Sequence, residues 1–210
     1  MQDEMSRQDL NERLAVIERM IVEGRIRSES WGWTFLLWGV AYYVAIAWAT
    51  WGQSLAVWSS TYSRWYAWPV TMMAALVLTL AIGMRRGHGE PGTTVIRAIV
   101  SVWICAGISM MFLFPAMSFA GTPVNQHSFV AIVAAMMGVT NGASGLILRW
   151  KMQVACAVVW WITAAAACFG SDAQLAVVFL TAIFLCQIAF GIYAMVLESR
   201  RRAQHGVAHA

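Results

Sequence analysis

The chain has 210 residues, of which 60% are hydrophobic and only 11% charged, with a formal charge of +4. A soluble domain is about 45–50% apolar and about 25% charged, so this composition excludes an ordinary water-soluble fold and points to a chain embedded in lipid. The positive balance is no nucleic-acid footprint, because nearly all the basic residues flank apolar runs; no direct nucleic-acid binding is expected.

The first thirty residues form a polar arm. Within "SRQDLNERLAVIERMIVEGRIRSES", Ser6 and Asp9 make a start that resembles a capping box. Leu10, Leu14, Ile17 and Ile21 follow at spacings of 4, 3 and 4, which is the seam of a coiled coil. Asp9 with Arg13 and Glu23 with Arg27 are supporting pairs four residues apart. The arm holds seven acidic side chains against five arginines, whereas helices that seek anionic lipid are usually basic. An amphipathic cytoplasmic helix that self-associates or docks on a partner is the favoured reading, and Leu10, Leu14, Ile17 and Ile21 are its oligomerisation residues. No short apolar region with a small-residue cleavage site precedes it, so no cleavable signal peptide is expected.

Beyond the arm, Trp31 to Trp51 carries no charged side chain. At about 1.5 Å per residue such a run crosses a hydrocarbon core of about 30 Å. Six such helices are predicted, over about 31–51, 67–84, 95–117, 128–148, 152–169 and 173–197. "GSD" at 170–172 reads as a tight turn between the last two. "RWK" at 149–151 breaks the fourth from the fifth, since two cations in mid-bilayer would be costly. The fold class is therefore an all-α integral membrane protein with three parts. Residues 1–30 are the arm, 31–197 the six-helix transmembrane domain and 198–210 a basic cytoplasmic tail.

Orientation follows from the cations. With both termini in the cytoplasm, thirteen of the fourteen basic residues lie on the cytoplasmic side and only Arg64 falls outside. That is the distribution the positive-inside rule requires, and five or seven spans would spoil it. Trp31, Trp33 and Trp150 are expected to mark inner interfaces, and Trp48, Trp51, Trp58, Trp65 and Trp68 outer ones. The loop from Gly52 to Tyr66 is expected to lie along the outer surface. "IGMRR", "GLILR" and "GIYAMVLESR" each place a glycine before an arginine, a pattern better explained by membrane grammar than by a structural repeat. The expected location is a bacterial cytoplasmic (inner) membrane.

"IERMIVEGRIRSESWGWTFLLWGVAYYVAIAW" resembles the start of uncharacterised bacterial multi-pass inner-membrane proteins, in which an Ile/Met-containing helix leads through an Arg/Ser stretch into a Gly- and Trp-rich span. The resemblance covers about residues 14–50, and since no activity is known for the family it implies no functional residues.

Groups able to do chemistry within the membrane are scarce. No Asp, Glu or His falls near a midplane, which argues against a carboxylate proton relay or a cation pump. His127 with Ser171 and Asp172 would share the outer face, yet no nucleophile motif accompanies them, and no catalytic residue is assigned. Cys105, Cys156, Cys168 and Cys186 sit in apolar runs without metal spacing and are expected to be small buried hydrophobes; no metal site is expected. No cofactor is called for, with a haem on His127 or a bound lipid left open as alternatives.

Tyr42, Tyr43, Trp103, Trp160 and Trp161 fall near the midplane together with Asn141 and Gln187. Trp and Tyr prefer the interface, so this set is either a packed aromatic core with the amides bonded across helices, or a cavity for a ligand. Gly138, Gly142 and Gly145 share one face of the fourth span and are expected to pack against another helix. Two functions follow. One is a non-enzymatic sensor, scaffold or assembly subunit working as a homo-oligomer or within a membrane complex. The other is a carrier or channel for a neutral lipophilic molecule or lipid.

Overall fold

The computed structural model describes residues 2–51, 62–86, 94–121 and 125–207. Every regular element among them is helical. They are α1 (Gln2–Glu29), α2 (Gly32–Trp51), α3 (Tyr62–Arg86), α4 (Thr94–Phe119), α5 (Gln126–Ile147), α6 (Lys151–Phe169) and α7 (Asp172–Ile183). A π-helical segment (Phe184–Ala189) and α8 (Phe190–Val207) follow directly. Six helices are long and apolar enough to span a membrane. Phe112, Phe119, Phe169, Ile162 and Leu80 lie exposed on their surface. In water such side chains would drive aggregation, while hydrocarbon accepts them without penalty.

Helix ends depart from the expected spans where polar sequence continues the helix beyond the apolar run. α8 runs past 197 to Val207, and Arg202 pairs there with Glu198 one turn earlier. α3 already begins at Tyr62 and includes Arg64 and Trp65. The rest of the predicted outer-surface segment, with Trp58, lies outside the described residues, as do His88 and His209.

The chain forms two compact units. The first comprises Met1–Glu29 and Gly92–Leu175. Its centre is the α5–α6 hairpin, whose connection is the short "LRW" reversal at 148–150. The Trp150 amide donates to the Gly145 carbonyl at 2.8 Å and the Leu148 amide to Ser144 at 3.0 Å, so carbonyls freed at the end of α5 are bonded within the turn. Closing it puts Arg149 at φ 51°, a left-handed backbone that Cβ-bearing residues disfavour. Arg149 thus supplies the expected break at a position better suited to glycine.

α1 seats its last turns on the same unit. A Cβ at Gly24 would lie 3.0 Å from Val95 Cγ1 on α4 and 3.3 Å from Leu148 Cδ2. The Arg25 guanidinium carbon lies 5.9 Å from the Trp150 ring centroid, within range of a cation–π contact. Trp150 is buried within this unit. The arm that approaches it comes from the other end of the sequence, so composition around Trp150 could not reveal the contact.

The second unit comprises Ser30–Pro91 and Ala176–Ala210. Here α2 crosses α8 at backbone distance. A Cβ at Gly32 would lie 2.7 Å from the Gly191 carbonyl oxygen, and one at Gly191 would lie 2.8 Å from that of Gly32. Phe35 and Phe190 meet edge to face beside this crossing, their centroids 5.0 Å apart. The Trp38 indole donates to Thr79 Oγ1 at 3.2 Å and ties α2 to α3. Of the glycines in the repeated Gly-to-Arg pattern, Gly145 and Gly191 are at tight approaches but Gly83 faces open space, so the three do not share a packing role.

The left-handed turn makes a direct prediction. Arg149→Gly should raise the stability of the folded chain by about 0.5–1 kcal/mol, because relief of αL strain outweighs the added entropy of the unfolded glycine. Thermal unfolding in detergent checks this, and a lowered midpoint would show the turn to be unstrained.

Candidate functional site

The structure divides the predicted site residues between the two units. Trp103, Asn141, Trp160 and Trp161 belong to the first, and Tyr42, Tyr43 and Gln187 to the second.

In the first unit, Gly138, Gly142 and Gly145 line the face of α5 that meets α6. A Cβ at Gly138 would fall 2.3 Å from the Trp161 ring, and one at Gly142 3.1 Å from it and 3.4 Å from the Ala157 Cβ. At Gly145 it would fall 2.8 Å from the Val154 backbone nitrogen. The indole of Trp161 therefore occupies the space left by two absent side chains, while its outer part remains exposed. Trp103 donates its indole N–H to Ser144 Oγ at 3.1 Å and joins α4 to α5. Trp160 is fully buried.

In the second unit, Tyr42 is buried with its ring roughly edge-on to Trp68 and Phe179, at centroid distances of 5.8 and 6.3 Å. The Tyr43 hydroxyl donates to the Leu180 carbonyl at 2.9 Å, bridging α2 and α7. Packing and hydrogen bonding thus account for Tyr42, Tyr43, Trp103 and Trp161.

The amides are different. Asn141 is fully buried; its Nδ2 donates to the Met137 carbonyl at 2.8 Å, but its Oδ1 has no partner. Gln187 is buried in the π-helical segment, its Nε2 without a partner, opposite Gly39, where a Cβ would lie 2.9 Å from the Gln187 Cβ. π-Helical turns recur at functional sites because they reposition side chains without ending the helix. Gln153 Oε1 is likewise buried and unpartnered, and no local sequence pattern beside Lys151 marks it out. A buried amide left unsatisfied costs about 1–3 kcal/mol, so each of these atoms has an unused capacity for a polar group.

At the opposite end of the α5–α6 hairpin from Arg149, His127 and Asp172 come together. His127 Nε2 lies 2.8 Å from Asp172 Oδ1 and Nδ1 lies 2.8 Å from the Ala167 carbonyl. The Ser171 hydroxyl instead donates to Gln174 Oε1 at 3.2 Å. With both imidazole nitrogens occupied by acceptors, nothing in this arrangement activates Ser171, and the three residues do not form a triad.

The cysteines require a correction. Cys156 and Cys186 are buried as expected, but Cys105 and Cys168 are exposed. A thiol on the outer surface of a membrane helix needs no protein cover, because lipid is as apolar as a core. Among the described residues, no group of three His, Cys, Asp or Glu side chains comes close enough to hold a metal.

No family model, curated protein or solved structure matches the chain.

The glycine face yields a coupled prediction. Gly138→Ala should destabilise the chain by about 1–3 kcal/mol, as overpacking does. Most of that loss should disappear on a Trp161→Ala background, where the obstructing ring is gone. Gly145→Ala should not be rescued in this way, because what obstructs it is Val154, backbone and side chain alike, and not Trp161. Denaturation of the single and double variants measures the coupling, and simple additivity of Gly138→Ala and Trp161→Ala would contradict the contact.

Proposed function

We propose that the chain is a non-enzymatic multi-pass protein of a bacterial inner membrane, a sensor, scaffold or assembly subunit that works as an oligomer with both termini in the cytoplasm. The observation that carries this reading is the state of the arm. Leu10, Leu14 and Ile17 are 58%, 51% and 52% exposed, on a helix whose base is fixed at Gly24 and Arg25. Gly24 continues the row of Leu10, Leu14, Ile17 and Ile21 at the next heptad position, so one stripe is covered by the chain's own helices at its base and open above.

Covering such a side chain is worth about 1.5–3 kcal/mol. Two heptads alone are marginal in water, but confinement of the copies to one membrane raises their effective concentration. The placement of the termini is supported by the thirteen basic residues that it puts on one side. The resemblance of residues 14–50 to bacterial inner-membrane proteins supports the location.

A second reading, a carrier or channel for a neutral lipophilic molecule, draws on the unpartnered amide atoms of Asn141 and Gln187. Aromatic walls with a few polar groups are the usual composition of such sites.

Native mass spectrometry from mild detergent separates the two. On the oligomer reading the chain flies as a multimer, and Leu14→Glu with Ile17→Glu reduces it to a monomer without loss of helix content. A monomer at every concentration would refute that reading. A retained lipophilic mass, lost in Asn141→Leu or Gln187→Leu while the fold persists, would favour the carrier.

A further inference from the structure

We propose that His127, Asp172 and the Ala167 carbonyl form a proton-binding site that clasps the start of α5 to the α6–α7 turn. His127 lies in the first turn of α5, ahead of the apolar stretch that begins at Phe129. Its Nδ1 stands 2.8 Å from the Ala167 carbonyl oxygen. A carbonyl only accepts, so Nδ1 must carry hydrogen. Its Nε2 stands 2.8 Å from Asp172 Oδ1. A carboxylate also only accepts, so this contact too needs a hydrogen between the atoms. A neutral imidazole has one N–H and cannot serve both. The arrangement is satisfied only when the pair holds one proton more than a neutral ring beside a carboxylate.

That proton belongs on the ring. Asp172 is the first residue of α7, where the helix dipole favours a negative charge, and its side chain is 82% exposed to solvent. Other groups near the clasp do not compete for it. On α6, the Cys168 thiol donates along its own helix to Ala164 at 3.6 Å. On α7, Gln174 is engaged with the Ser171 amide at 2.9 Å. On α5, Asn125 caps its own helix at the Ser128 amide, and α4, which packs there through Phe114 on Phe129, has no charged residue after Arg97. Among the described residues of this unit, Asp172 is the one charged partner.

Loss of the proton turns one of the two contacts into a lone pair facing an acceptor. The clasp then opens and the turn at Gly170 and Ser171 is released. The two acceptors hold the His127 imidazole above its ordinary range, so the clasp is present below the range of a free imidazole and is lost as pH rises through that raised range. The ligand is the proton itself, taken from the side of the membrane that the α6–α7 turn faces. Its use as an input signal rests on the sensor reading above, whereas the binding of the proton does not.

The test is a pH titration of the full chain in micelles, with 15N-labelled histidine and detection of the imidazole nitrogens. His127 is assigned by the signal missing in His127→Gln. It should keep two N–H groups to higher pH than a free imidazole does, because both ring nitrogens face acceptors. Asp172→Asn is the decisive variant. A carboxamide offers a donor as well as an acceptor, so it should keep the clasp closed around a neutral ring. Thermal stability should then be retained while its pH dependence over this range vanishes. If His127 titrates as a free imidazole does, or if Asp172→Asn leaves its titration unchanged, the proposal is wrong. If the titration is as described but the stoichiometry in native mass spectrometry is the same at every pH, the proton site stands and the sensor reading loses it as an input.

Discussion

With no side chain at 138, 142 and 145, α5 lets α6 come to backbone distance, and the first unit is arranged around that approach. In lipid there is no hydrophobic gain from bringing two apolar helices together, so association has to come from close packing and from polar bonds between helices. The glycines provide the first. Trp161 fills the groove above Gly138 and Gly142, and Val154 lies against Gly145. The bond from Trp103 to Ser144 provides the second and brings α4 to the same hairpin.

The two ends of that hairpin are closed by different means. At one end a left-handed arginine turns the chain, and Trp150 is buried there with Arg25 of the arm close to its ring. At the other end His127 joins α5 to Ala167 and Asp172 through a single ring with two acceptors. One closure depends on a backbone conformation and a packed aromatic, the other on a proton. The second unit follows the same packing rule with other residues, its backbones meeting at Gly32 and Gly191.

Much of this was legible in the sequence. Charge-free runs of the right length define helices in any membrane chain, and six emerged close to where they were expected. The face formed by Gly138, Gly142 and Gly145 was legible because its period is local. What escaped depends on partners far away in the chain. Gly32 and Gly39 also share a helix face, seven residues apart, but nothing nearby reveals that they meet Gly191 and Gln187. The contact of Arg25 with the Trp150 ring joins residues more than a hundred positions apart. The π-helical segment has no sequence signature, so Gln187 could be read only by its depth. The common face of His127 and Asp172 is legible, but their contact, and the carbonyl that completes it, depends on how the hairpin brings residues 127, 167 and 172 together.

The tightest test of this arrangement is a disulfide across the hairpin. The Cβ positions of residues 142 and 157 are 3.4 Å apart, at the short end of the range of about 3.5–4.5 Å that a disulfide spans. With the four native cysteines replaced, Gly142→Cys with Ala157→Cys should oxidise within one chain in native membranes, trapping a species that migrates as a monomer. Crosslinking between chains alone, or no crosslink at all, would mean that the glycine face of α5 does not hold α6, and the architecture of the first unit would have to be abandoned.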